Sequence, residues 1–173
     1  LIRAVFFDLG DTIISEEAAG GKHLWEATLT KLPYVDETLS ELKRKGLKLG
    51  IITNTVTSRE EHVRMALRKI DVEKYFDYII TSVDVGHEKP DERIFMTALR
   101  ALRVKPNEAV MVGNRITVDI VGGNRMGMVT VLLKWNKRYN ERITSQEEQP
   151  TRTMRSLKEL PLVLEEIQET QNM

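Results

Sequence analysis

Apolar residues along the chain fall into short unbroken runs, separated by longer stretches in which they recur every three or four positions. The first run, Ala4, Val5, Phe6 and Phe7, stops abruptly at Asp8 inside RAVFFDLGDT (residues 3–12). A run that is apolar on both faces is the pattern of a central parallel strand covered on each side by helices. LKLGIIT (47–53), YIITS (78–82), AVMV (109–112) and VTVLL (129–133) repeat it. Between these runs the period lengthens to that of a helix. Val35, Leu39 and Leu42 share one face of a helix over 36–45 that Gly46 stops. Ser58 with Glu61 three residues later is a capping-box start for a helix whose buried stripe is Val63, Ala66, Leu67 and Ile70. Pro90 suits the first turn of a helix over 91–102, with Ile94, Ala98, Ala101 and Leu102 inward.

Weaker patterns fill the rest. After a turn at Gly20-Gly21, Trp25, Leu29 and Leu32 at i, i+4 and i+7 predict a short helix over 23–32. A loop and helix ending near Gly127 carry Asp119; 134–149 is polar and predicts a loop, and 152–154 a short edge strand. Pro161 lacks the amide hydrogen that a helix interior needs, so a turn at 157–160 should precede a closing helix that begins there. Strands alternating with helices specify βαβ units. The expected fold is α/β: a Rossmann-like three-layer sandwich with a mainly parallel sheet of five or six strands and helices on both faces. Residues 1–173 are expected to form a single domain.

Composition narrows the partners. Lys plus Arg and Asp plus Glu both number 26, so the formal net charge is zero and neither nucleic acid nor an anionic membrane is a favoured partner. KWNKRYNER (134–142) mixes bases with Trp135 and Tyr139, but on a neutral chain it reads as a solvated loop. The absence of cysteine excludes disulfides, thiolate metal sites and a cysteine nucleophile, and it fits a cytoplasmic location. No apolar run approaches the roughly 20 residues that span a bilayer, and no signal peptide is read at the start. His23, His62 and His87 are scattered singly and read as surface or packing residues, while Met65, Met96 and Met126 sit in helical patterns as core or near-core residues.

The chemistry-bearing residues gather at strand ends. Asp8 follows the first strand, Thr53 ends the second, Lys89 comes shortly after the third, and Asn114 and Asp119 follow the fourth. In open α/β sheets the carboxyl ends of the strands are where ligands bind. With FFDLGDT, IITN, EKPDERIF and MVGNRITVD in this order, the chain resembles the haloacid dehalogenase superfamily over essentially its whole length. Hydrolysis of a phosphomonoester needs a nucleophile, neutralisation of the phosphoryl oxygens and a proton for the leaving oxygen. Asp8 can attack phosphorus, and the resemblance implies an aspartyl-phosphate intermediate. It also implies catalytic roles for Thr53 and Lys89, phosphate contacts from Leu9, Gly10 and Asn54, and Mg²⁺ held by Asp8, the Gly10 carbonyl, Asn114 and Asp119.

Two positions depart from the family pattern. Most family phosphatases place a second aspartate, the general acid and base, two residues after the nucleophile; here that position is Gly10, with Asp11 one residue on. A missing donor predicts poor turnover of alkyl phosphates and better turnover of aryl phosphates, unless the loop turns Asp11 inward. Asn114 stands where the family usually has aspartate, which predicts weaker Mg²⁺ binding with Asp119 carrying more of it. Only 41 residues lie between Asp11 and Thr53, which leaves no room for the four-helix cap of many relatives. Cover for the site is expected from a short flap at 13–32, with Trp25 as a contact, or from a second subunit in a homo-oligomer. An open site of this kind suits a phosphorylated small molecule or an exposed phosphate on a macromolecule. The alternatives are a phosphate- or partner-binding module that has lost turnover and, less favoured without a lid, a 2-haloacid dehalogenase.

Overall fold

The computed structural model describes residues 1–16, 23–139 and 141–173. Its strands are β1 (Ala4–Phe7), β2 (Lys48–Thr53), β3 (Tyr78–Thr81), β4 (Ala109–Gly113), β5 (Val129–Leu133) and β6 (Arg152–Met154). They form one sheet in the order β3-β2-β1-β4-β5-β6, every neighbouring pair parallel. The chain winds outward from β1 in one direction through β2 and β3, then returns to lay β4, β5 and β6 on its other side. The crevice at this reversal, just beyond the carboxyl ends of β1 and β4, is where the fold is able to hold a ligand.

Side chains alternate across a strand, and here each face meets its own helical layer. Val5 and Phe7 pack with Leu49, Ile51, Val110 and Val112 against α1 (Val35–Arg44), α2 (Glu60–Lys69) and α6 (Leu160–Gln171). Ala4 and Phe6 face the other way with Ile52 and Met111, under Ile94, Phe95, Ala98 and Leu102 of α4 (Glu92–Leu102). Two short helices complete the set: α3 (Ser82–Val85) after β3, and α5 (Val121–Met126), which continues from a π-helical turn at Ile116–Ile120. The expected α/β sandwich is therefore the observed one, including the parallel edge strand β6.

Several local expectations are corrected. No helix forms over 23–32 among the described residues. Ile14 bridges Lys31, the Ser15 N–H donates to the Thr30 carbonyl at 2.9 Å and the Leu32 N–H to the Ile13 carbonyl at 2.9 Å, so 30–32 is drawn into extended pairing and only one turn remains at 23–27. The predicted Gly20-Gly21 turn lies outside the described residues. Ser58 does not cap α2. The helix begins at Glu60, whose N–H is taken by Asp84 Oδ2 at 2.7 Å, while the Arg59 N–H donates to His62 Nδ1 at 3.0 Å. The cap thus comes from a neighbouring segment that sequence spacing does not register. Pro90 lies just outside α4, which Asp91 caps through the Arg93 N–H at 2.9 Å. Met65 is 48% exposed rather than in the core.

Leu39 of α1 is completely buried under the sheet, whereas Leu162 of α6 is 60% exposed. Leu39→Ala should lower the unfolding free energy by about 2–5 kcal/mol, because it removes buried methylenes and leaves a cavity. Leu162→Ala should change it by no more than about 0.5 kcal/mol. Denaturant titration of the two variants beside the native chain checks the contrast.

Candidate active site

The site is built from backbone that the sheet has already fixed. The Asp8 N–H donates to the Val112 carbonyl at 2.9 Å, extending the β1–β4 ladder by one step and setting the Asp8 carboxylate at the crevice. Thr53 ends β2, Asp119 comes from the π-helical turn after β4, and Lys89 comes from the loop before α4. Together with Leu9, Gly10 and Asn54 they line one cleft of about 680 Å³.

Lys89 ties these elements together. Its ammonium donates to Asp8 Oδ1 at 3.0 Å, to Asp119 Oδ1 at 2.7 Å and to the Ile52 carbonyl at 2.7 Å, which uses all three of its protons. Burial opposes the charge on Lys89, but the carboxylates of Asp119 and Asp8 outweigh it and hold the ammonium pKa above its usual value. Asp119 has no exposed surface. Burial pushes its carboxyl up to about 6 against the pull of Lys89, with a further push from Asp8. The Arg115 N–H donates to its second oxygen at 3.1 Å. Gly113 makes room for that carboxylate: a Cβ there would lie 2.2 Å from Asp119 Oδ2. Side-chain exposure falls from 14% at Asp8 to 1% at Lys89 and 0% at Asp119, so of the three only Asp8 presents its functional group to the cleft with room for a reactant.

The remaining candidates take different places. Asn54 lines the cleft, but its side-chain amide is used by Lys89: Nδ2 donates to the Lys89 carbonyl at 3.0 Å and Oδ1 accepts the Lys89 N–H at 2.7 Å. This reciprocal pair fixes the loop that delivers the ammonium. Asn114 lies beside a second hollow with Ile116, Leu132 and Tyr139, and both polar atoms of its amide are buried without a hydrogen-bond partner. Such an orphaned oxygen is costly unless something else satisfies it. Among the described residues no group of three or more acidic, histidine or cysteine side chains is arranged to hold a metal. Asp8, the Gly10 carbonyl and Asp119 share the first cleft and offer oxygen donors of the kind that a hard, partly hydrated cation such as Mg²⁺ takes, while Asn114 lines the second hollow.

Sequence reasoning missed a brace across the loop that follows Asp8. The Trp135 indole N–H donates to the Asp11 carbonyl at 2.9 Å, Arg138 Nε donates to Asp11 Oδ2 at 2.6 Å, and the Tyr139 hydroxyl donates to Glu16 Oε2 at 3.0 Å. Arg115 lies 4.0 Å over the Tyr139 ring and pairs with Glu141 at 2.9 Å. Among its described residues the 134–142 stretch is therefore not simply a solvated loop. Its one available signal was the presence of Trp135 and Tyr139 in an otherwise polar run. Asp11 is fully buried at φ 53°, with its carboxylate held by Arg138 and by the Glu16 N–H at 3.0 Å, and it is not part of the cleft lining.

Glu16 does line the cleft. Burial raises its carboxyl pKa, a rise that the neighbouring Asp11 and Asp8 reinforce while Tyr139 and Arg138 oppose it. Trp25 does not line the cleft; its ring stacks on His23 at 4.6 Å and meets His62 at 4.6 Å with a tilt of 36°, while His23 and Leu24 are among the lining residues.

Known proteins resemble this chain to different extents. The glyceraldehyde 3-phosphate phosphatase of Methanothermobacter thermautotrophicus is 40% identical over 107 residues, 62% of this chain and 46% of that one. The pyrophosphatase PpaX of Bacillus mycoides is 41% identical over 101 residues, 58% of this chain and 45% of that one. The chain thus spans about half the length of the curated relatives it matches. A solved structure from Listeria monocytogenes serotype 4b is similar with a TM-score of 0.82 at 28% identity, covering 97% of this chain and 99% of that chain. A haloacid dehalogenase-type phosphatase from Thermococcus onnurineus is similar with a TM-score of 0.77 at 25% identity, covering 94% and 98%. Since the sequence model of the haloacid dehalogenase-like hydrolases matches residues 14–133, well over half of a chain whose sheet brings Asp8, Lys89 and Asp119 to one crevice, this chain belongs to that family.

Proposed function

We propose that the chain is a phosphatase that hydrolyses a small phosphomonoester, with Asp8 as its nucleophile. The observation that carries this reading is the buried Lys89 ammonium bridging Asp8 and Asp119 at the carboxyl ends of β1 and β4. It orients one oxygen of Asp8 and leaves the other for attack, and it sets a positive charge directly behind the attacking carboxylate. Attack forms a bond from Asp8 to phosphorus as the bond to the leaving oxygen breaks. Water then releases phosphate and regenerates the carboxylate. Thr53, the Asn54 backbone and the loop at Leu9 and Gly10 would bind the phosphoryl group from the cleft wall.

Two carboxylates and one ammonium sum to a negative charge, and a phosphate adds more. Mg²⁺, held by Asp8, the Gly10 carbonyl, Asp119 and the Asn114 amide oxygen, would supply the missing positive charge. The names of the matched relatives, a sugar-phosphate phosphatase and a pyrophosphatase, support a small phosphorylated substrate. In this reading residues 13–32 serve as a short flap in place of a cap on a single domain, and of its described residues Ile14, Glu16, His23 and Leu24 line the cleft.

With 4-nitrophenyl phosphate as substrate, Asp8→Asn should reduce Mg²⁺-dependent turnover by at least about 10³-fold, since the group that forms the covalent bond is removed. Retention of native rates in this variant would overturn the assignment of the nucleophile. Phosphate binding without any turnover in the native chain would identify a binding module instead. Asp119→Asn should weaken Mg²⁺ binding at least about tenfold, which isothermal titration with the metal alone reads directly.

A further inference from the structure

A phosphatase acting on the ester of an aliphatic alcohol must put a proton on the leaving oxygen, because an alkoxide is a poor leaving group. The groups already described have none to give: Asp8 attacks, the three protons of Lys89 are engaged, and Asp119 is buried behind them. Asp11 is excluded by its burial and by its contacts with Arg138 and the Glu16 N–H.

We propose that Glu16 is the proton donor and acceptor of the reaction, its carboxyl lying over Gly10 beside the nucleophile. The proposal rests on the phosphatase reading above. Its main support is a coincidence of space. An ideal Cβ on Gly10 would lie 2.5 Å from Glu16 Oε1 and 2.8 Å from Glu16 Cγ, so the Glu16 side chain occupies the volume in which any side chain at position 10 would start. Residue 10 is two positions from Asp8, and both Glu16 and Asp8 line the cleft. Glycine there lets a carboxyl arrive from elsewhere in the loop.

The carboxyl is also aimed. Tyr139 holds Oε2 at 3.0 Å and the Glu16 N–H is fixed on Asp11, which leaves Oε1, the oxygen over Gly10, to carry the transferred proton. In the first half-reaction the bond from Asp8 to phosphorus forms, the bond from phosphorus to the leaving oxygen breaks, and the Glu16 proton moves to that oxygen to give the alcohol. In the second, the Glu16 carboxylate takes a proton from water as its oxygen attacks phosphorus. The bond from phosphorus to Asp8 breaks, phosphate leaves, and Glu16 is protonated again. The poor alkyl-phosphate turnover expected from Gly10 alone is replaced by the opposite expectation.

The test compares glycerol 2-phosphate with 4-nitrophenyl phosphate, whose leaving group needs little protonation. Glu16→Gln keeps the size of the side chain and should lower kcat/KM on glycerol 2-phosphate by about 10²- to 10⁴-fold while changing it less than about tenfold on 4-nitrophenyl phosphate. Glu16→Ala should show the same split, and adding Gly10→Asp to it, which returns a carboxyl to the vacated space, should restore the alkyl substrate. Equal losses on both substrates, or no loss on either, would overturn the assignment. So would a native chain that turns over the aryl ester in an Asp8-dependent way but never the alkyl one, and that outcome leaves the phosphatase reading standing. A native chain that turns over neither overturns both.

Discussion

One ammonium holds the site together. Lys89 sits with almost no exposure between a fully buried carboxylate, a partly exposed one and a backbone carbonyl, so strands β1 and β2 and the turn after β4 all converge on a single nitrogen. Taking such charges out of water is worthwhile only when every hydrogen-bonding position is filled, and removing one partner of a buried pair typically costs about 3–5 kcal/mol. Here the filling is complete on the lysine side. The Asn54 amide then clamps the Lys89 backbone from both directions, so the loop has little freedom to withdraw the charge.

That constraint explains features that otherwise look unrelated. Gly113 is bare because the Asp119 carboxylate lies against it, and the π-helical turn at Ile116–Ile120 brings that carboxylate back under β4. β1 is short and wholly buried, so Asp8 is its first residue able to meet water. The sheet order supplies the rest: reversing the winding at β1 opens a crevice that the helices on either face do not cover.

Much of this was legible in the amino acids. The apolar runs marked β1 to β5, the four inner strands and the edge strand β3, because residues buried on both faces leave a continuous signal, and the strand-end positions of Asp8, Thr53, Lys89 and Asp119 followed from them. What failed did so for identifiable reasons. Trp25, Leu29 and Leu32 carry helical spacing, yet pairing between Ile14 and Lys31 draws the backbone out, a long-range contact that a local period does not encode. Asp84 caps α2 from another segment. Glu16 gave no signal because its place in the cleft depends on the emptiness of Gly10 and on Tyr139, and only folding brings the three together. Asn114 was legible as a turn residue after glycine, but not as a buried amide with nothing to bond.

The brace from Trp135, Arg138 and Tyr139 reaches Asp11 and Glu16 across sequence separations of 123 to 127 residues. On a ribosome, which releases the amino-terminal side first, the loop after Asp8 therefore emerges long before the residues that set its shape. β1 can begin pairing with β2 early, but the Asp11 carboxylate, beside the Glu16 N–H, waits for Arg138 until the segment after β5 has been made. The loop after Asp8 thus takes its final shape only when Trp135, Arg138 and Tyr139, made more than a hundred positions later, close over it.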